Sequence, residues 1–178
     1  SGFDTRLKAA APGRSFAASQ RKLWGHKRSV MASNPYETDL DRNPANYQPL
    51  TPLSFLERAA KVFPERTAII HRGTRYTYAD FYNRARKLAS ALAARGIGKG
   101  DTVALMMQNQ PEYLAVWMGI IRVGGVCALV NTNLTGSGLA HCLNIVDTRQ
   151  IIVGDDLIAN YETATPYLND PPRVWVSG

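Results

Sequence analysis

Apolar positions recur along this chain with two different spacings, and the switch between them predicts its elements. After Thr51-Pro52, the residues Phe55, Leu56, Ala59 and Val62 share one face at helical spacing. Threonine is a favoured N-cap and proline a favoured first helical residue, and Pro64 ends the stretch. Thr67–His71 and Thr74–Tyr78 are short β-rich runs around Arg72-Gly73, which predicts a hairpin. The second run feeds straight into a helix. Thr77 caps it, Asp80 complements its N-terminal dipole, and Phe81, Ala85, Leu88 and Leu92 form its buried stripe. Arg84, Arg86 and Lys87 lie off that stripe on a solvated face, and Gly96 stops the helix.

Beyond Gly96 the pattern becomes continuous apolar runs separated by helical stretches. The runs are Thr102–Met107, Val126–Val130, Gln150–Val153 and Arg173–Val176. Between them lie helices over Pro111–Val123, about Gly138–Asp147, and near Asp155–Tyr161. Strands that are apolar throughout, joined by helices, imply right-handed crossovers and a parallel sheet covered on both faces. The expected fold is therefore α/β. It is a doubly wound, mostly parallel sheet with flanking helices, preceded by a small hairpin and a basic disordered tail. Thr102–Met107 and Val126–Val130 are expected as neighbours at the centre of the sheet.

Charge divides the chain. Residues 1–33 hold seven Lys/Arg and one acid, net +6, and residues 34–178 hold fourteen Lys/Arg and thirteen acids, net +1, which together give the whole-chain +7. The pI of about 9.6 thus describes a tail, and the body is near neutral. A nucleic-acid partner would need a basic face on the folded part, and none is legible. Segment 1–33 is a basic low-order tail or a targeting segment. Its lack of acids fits an organelle transit peptide, a bland tail or sequence upstream of a start at Met31. It lacks the apolar core of a secretory signal. Pro35, Pro44 and Pro49 mark a surface connector, so that 34–178 forms the domain. The most apolar window, Leu114–Val130, is broken by Arg122 and Gly124-Gly125, so no transmembrane helix is expected.

Candidate chemistry is sparse. Cys127 and Cys142 read as small buried hydrophobes, and His26, His71 and His141 are too scattered for a metal site. No G-x-x-x-x-G-K-[ST] or G-x-S-x-G run occurs, and Asp155-Asp156 reads as a helix start. No catalytic residue and no metal ligand is assigned. In sheets of this kind ligands collect beyond the carboxyl ends of the strands. The loop Gln108-Asn109-Gln110-Pro111 has no glycine to admit a pyrophosphate. The loop from Asn131 to Gly138 is polar, carries glycines and precedes a helix. Asn131, Thr132 and Asn133 are therefore the candidate cofactor contacts. The competing reading is a loop whose side chains satisfy their own backbone and cap the next helix.

Three motifs in order carry a family resemblance. Tyr76-Thr77-Tyr78-Ala79-Asp80-Phe81 resembles the early L-T-Y-x-E-L motif of adenylate-forming enzymes. Gly98-Lys99-Gly100-Asp101-Thr102-Val103-Ala104-Leu105 resembles their G-V-x-x-G-D-x-V-A. The run Ile121 to Asn131 resembles x-K-A-G-A-x-x-x-P-[LI]-N, with Leu129 or Val130 where the family has proline. Asn131-Thr132-Asn133-Leu134 with Leu139-Ala140-His141-Cys142-Leu143 is similar to the fatty-acid transport protein branch, the very-long-chain acyl-CoA synthetases. Asn43 to Tyr47 and Thr51 to Arg58 instead resemble short- and medium-chain acyl-CoA synthetases, which leaves the chain-length class open.

The resemblance covers roughly residues 40–178. It implies an ATP-dependent ligase that converts a carboxylic or fatty acid to an acyl-adenylate and then to a CoA ester, with Mg²⁺. It also implies that the nucleotide loop, ribose-binding acid and catalytic lysine lie beyond Gly178. Residues 34–178 are then a partial N-terminal domain, inactive alone, to which ATP, Mg²⁺ and CoA, the cofactors of the intact family enzyme, are not expected to bind tightly. The rival reading is a non-enzymatic binding module that keeps the fold without the chemistry. A cytoplasmic or peripheral membrane location is expected, with organelle targeting as the alternative implied by the tail. The strand Arg173–Val176, ending without a successor, is expected to leave an open edge and to promote self-association.

Overall fold

The structure, a computed structural model, describes Lys8–Ala9 and residues 50–178, all but Leu50 belonging to one compact unit. A two-residue strand, β1 (Lys8–Ala9), precedes helix α1 (Pro52–Val62). Strands β2 (Thr67–His71) and β3 (Thr74–Thr77) form an antiparallel hairpin apart from the main sheet, with Arg72 and Gly73 both at positive φ in the turn. Helix α2 (Tyr78–Ala94) follows without a break. Then come β4 (Thr102–Met106), α3 (Pro111–Arg122), β5 (Val126–Leu129), α4 (Gly136–Ile145) and β6 (Gln150–Gly154). A 3₁₀ turn at Asp155–Leu157 leads into α5 (Ile158–Glu162). A second 3₁₀ turn at Thr165–Tyr167 precedes β7 (Arg173–Ser177).

Strand order in the sheet is β1-β7-β6-β4-β5. Residues 102 to 105 of β4 pair in parallel with 126 to 129 of β5, and Val103 of β4 opposite Gln150 of β6 starts the second parallel pairing. β6 and β7 are also parallel, while β1 runs antiparallel to β7. The chain steps from β4 outward to β5 and returns across β4 to place β6 on its far side. With right-handed crossovers, such a reversal sends successive helices to opposite faces.

The two cores record that reversal. Val103 and Leu105 of β4, and Met107 just after it, enter a core with Phe81, Leu88 and Leu92 of α2 and Val116 and Ile120 of α3. Ala104 and Met106 point the other way, into a core with Leu139 and Leu143 of α4 and Tyr161 of α5. Five consecutive residues, Val103 to Met107, are buried because both faces of β4 are covered. α2 and α3 approach closely at Gly119. A Cβ there would stand 3.2 Å from the Ala89 nitrogen and from the Leu88 Cβ.

Expectation and structure part at four places. α1 buries Leu56, whereas Phe55 and Val62 are 59% and 56% exposed, so only half of its apolar arc meets the core. β5 is an edge strand rather than a central one, because β6 takes the other side of β4, and Val126 and Leu129 are correspondingly exposed. The outer side of β7 is not bare, since Lys8 and Ala9 pair with Val176 and Trp175. That pairing lies inside the segment expected to be low-order. The rest of 1–33, and the connector before Leu50, fall outside the described residues.

Candidate functional site at the carboxyl edge of the sheet

All four parallel strands end on one edge, and their loops leave it in two directions. The loop Met107–Gln110 turns to the α3 face, while the loops after β5 and β6 turn to the face of α4 and α5. Ligands in open parallel sheets sit where adjacent loops diverge in this way. Here the divergence flanks β4 on both sides. The lining groups are Gln108 and Asn109, exposed, then Asn131, Thr132 and Asn133, and across β4 the exposed Asp155 and Asp156.

Backbone at this edge is crowded. A Cβ on Gly154 would lie 2.7 Å from an Asp156 carboxylate oxygen and 3.7 Å from the Met107 Cα. A Cβ on Gly178 would lie 2.6 Å from an Asp155 carboxylate oxygen. Asp155 also accepts the Asp156 N–H at 2.8 Å. The crevice therefore has amide and hydroxyl groups on its β5 side and carboxylates on its β6 side.

Asn131, Thr132 and Asn133 stand together at the end of β5, as the spacing implies. They bond locally and to α5. The Asn131 Oδ1 accepts the Asn133 N–H at 3.0 Å, and the Asn131 carbonyl accepts the Leu134 N–H at 3.2 Å. The Thr132 carbonyl accepts from the Asn160 Nδ2 at 3.2 Å. The first N–H of α4, on Gly136, goes to the Thr163 hydroxyl at 2.7 Å, and that hydroxyl donates to the Asn160 carbonyl at 2.6 Å. Thr135, at the N-cap of α4, makes no side-chain cap bond. The side chains of Asn160 and Thr163 thus organise this loop from about 27 residues away. No local pattern points to them, because the contact exists only once α4 and α5 pack on the same face.

The other sequence candidates fall elsewhere. Tyr113 and Trp117 pack against the α2/α3 core, and Met106 at the end of β4 and Met107 just after it are buried. Cys127 is half-buried against the same core, and burial pushes its thiol up to about 12, so it stays protonated and does not act as a nucleophile. Among the described residues, no group of three His, Cys, Asp or Glu could hold a metal ion. No described helix is long and apolar enough to cross a membrane.

A model of the AMP-binding enzyme family matches residues 56–176. The chain is 37% identical over 123 residues to the 4-hydroxybutyrate–CoA ligase 2 of Metallosphaera sedula, a match covering 69% of this chain and 21% of that protein. It is 38% identical over 113 residues to the mouse long-chain fatty acid transport protein 6, covering 63% of this chain and 18% of that protein. Among solved structures, the N-terminal domain of FACL13 from Mycobacterium tuberculosis matches with a TM-score of 0.62 and 30% identity, over 67% of this chain and 30% of that one. The chain therefore spans about a fifth of the length of the curated relatives it matches.

Proposed function

The chain belongs to the AMP-binding enzyme family, and from that premise we propose that it forms the opening sheet of an ATP-dependent acyl-CoA ligase. The ligase joins a carboxylic or fatty acid to CoA through an acyl-adenylate. The observation that carries this reading is the family match over 56–176 lying on a doubly wound sheet whose loops diverge beside β4. Relatives named for a four-carbon hydroxy acid and for long-chain fatty acids support a carboxylate substrate without choosing its length.

In this reading the chain's own residues build a floor. β4 and its neighbours fix the crevice. Asn160 and Thr163 hold the 131–136 loop in one shape, and Asp155 and Asp156 keep the β6 side acidic. ATP supplies the adenylyl group when bound. Its phosphates do not fit the described residues as they stand. The N–H groups of Asn133, Leu134 and Gly136 are already bonded, and the carboxylates at this edge are the adjacent pair Asp155 and Asp156. No catalytic step is assigned to these side chains, and the 178 residues alone should not adenylate an acid. The internal bonding of the 131–136 loop also favours the rival, a non-enzymatic module that keeps the fold. We place the protein in the cytoplasm or at a membrane surface.

A segment exchange tests the proposal. Residues 51–178 replace the matching segment of the Metallosphaera sedula ligase, and CoA-ester formation is measured. A soluble chimera that still makes the ester supports the ligase reading. A chimera that folds, binds ATP and makes none overturns it.

A further inference from the structure

The outward half of α1 carries a pattern the ligase reading does not use. Phe55 is 59% exposed, Val62 56% and Phe63 47%. At about 100° per residue, Phe55 and Val62 lie on one line of the helix, with Phe63 at its C-terminal end. Arg58 and Lys61, both exposed, lie on one side of that line, and Arg66 stands over the Phe63 ring with its guanidinium carbon 4.9 Å from the ring centre. The helix's one acid is turned away. Glu57 accepts from Arg122 of α3 at 2.6 Å and from the Tyr82 hydroxyl of α2 at 3.1 Å. The outer face of α1 is thus apolar along its middle and cationic along one side and beyond its C-terminal end. Glu65, in the turn after the helix, is the acid that remains exposed nearby.

We propose that this face docks on an anionic lipid surface, with Phe55, Val62 and Phe63 entering the headgroup boundary and Arg58, Lys61 and Arg66 meeting lipid phosphates. A helix with an apolar stripe bordered by Lys and Arg lies in the plane of a membrane interface, and each basic side chain adds attraction to anionic headgroups. The Glu57–Arg122 pair matters here because it removes the carboxylate that would repel those headgroups. The Thr51–Ser54 capping box holds the first turn in place, so the helix is formed before it meets the lipid. The charge pattern is what selects lipid over a second copy of this chain, whose matching face would bring like charges together.

Co-sedimentation with vesicles tests this on the whole 178-residue chain. Phosphatidylserine-containing vesicles should bind about tenfold or more tightly than phosphatidylcholine alone. The triple variant Phe55→Ser, Val62→Ser, Phe63→Ser should lose about tenfold in that affinity while keeping its circular dichroism and melting temperature. The pair Arg58→Glu, Lys61→Glu should lose binding to anionic vesicles and its salt sensitivity, and serves if the triple variant fails to fold. Undiminished binding by the folded serine or glutamate variants would assign lipid affinity to the basic tail and overturn the proposal. Failure of the unaltered chain to bind would do the same. So would loss of an oligomer in the serine variant with vesicle binding unchanged, because the face would then be a protein interface.

Discussion

Thr148 shows how much one hydroxyl can hold. It is buried, accepts the Ala104 N–H at 3.2 Å, and lies 2.9 and 2.7 Å from the carbonyls of Thr102 and Gln150, to either of which it can donate. It joins the start of β6 to β4. Thr148→Val keeps the shape and strands those groups, which should cost about 1–3 kcal/mol. Urea unfolding at neutral pH measures it, and a variant as stable as the parent would remove Thr148 from the sheet's support. Glu57 acts through charge. Its hydrogen bond from Arg122 holds its carboxyl below the usual carboxylate range, against an opposing push from burial. A depressed native pKa stabilises above the unfolded value of about 4.3 and loses that contribution as pH falls through the native value. Both side chains are about a third exposed, so the pair is worth about 1 kcal/mol or less. Glu57→Gln should narrow the stability difference between pH 6 and pH 3, and an unchanged pH profile would show that the pair contributes nothing. Of these residues the sequence displays Thr77 and Asp80, whose reciprocal cap bonds at 3.1 Å span three positions. It hides Thr148, whose partner is 44 residues away.

Among the elements, existence and the pairing of β4 with β5 are legible, whereas rank in the sheet is not. β4 and β6 are readable as apolar runs because a strand covered on both faces has no polar side to show. That same lack of alternation conceals rank in the sheet. Val103 to Met107 and Val126 to Val130 look equally central as sequence, yet one is fully covered and the other is an edge. α1 shows the parallel problem for helices: periodicity gives the apolar arc, and only the docking of α2 and α3 decides that Leu56 is covered and Phe55 is not. The position of the 131–136 loop after β5 follows from the apolar run before it, while its fastening by Asn160 and Thr163 depends on tertiary packing. Two predictions follow the difference between strands. Leu105→Asp buries an unpaired charge and should cost several kcal/mol, enough to abolish a cooperative melt, whereas Val126→Asp at the exposed edge should cost about 1 kcal/mol or less. Equal losses by circular dichroism would contradict the strand order. Gly119→Ala presses its Cβ on Ala89 and Leu88 of α2 at 3.2 Å and should lower stability in thermal or urea unfolding despite the gain in helix propensity; a neutral result would mean that the two helices shift apart freely.

At the scale of the whole chain, uncovered apolar surface lies at the β5 edge, where Val126 and Leu129 are 56% and 54% exposed. Open strand edges of this composition pair with other chains. Sedimentation velocity at rising concentration should show self-association, and Leu129→Lys should shift it toward monomer. A monomer at every concentration would refute this. Purified protein with Mg-ATP and a carboxylic acid should release no pyrophosphate above a boiled control, and clear turnover would show that these residues suffice for adenylation.

The return of the chain across β4 also sets a timetable. During synthesis β4 leaves the ribosome with α2 and soon finds α3 and β5, all close in sequence. Its second edge must wait for Gln150, which is 150 − 102 = 48 residues after β4 begins. At about 5–20 residues per second that is a delay of several seconds. Through that interval the strand destined for the middle of the sheet is itself an open edge, with Ala104 and Met106 facing water. The nascent chain is most exposed to misassembly where the finished molecule is most protected, and a chaperone that binds extended apolar segments would find its site in β4.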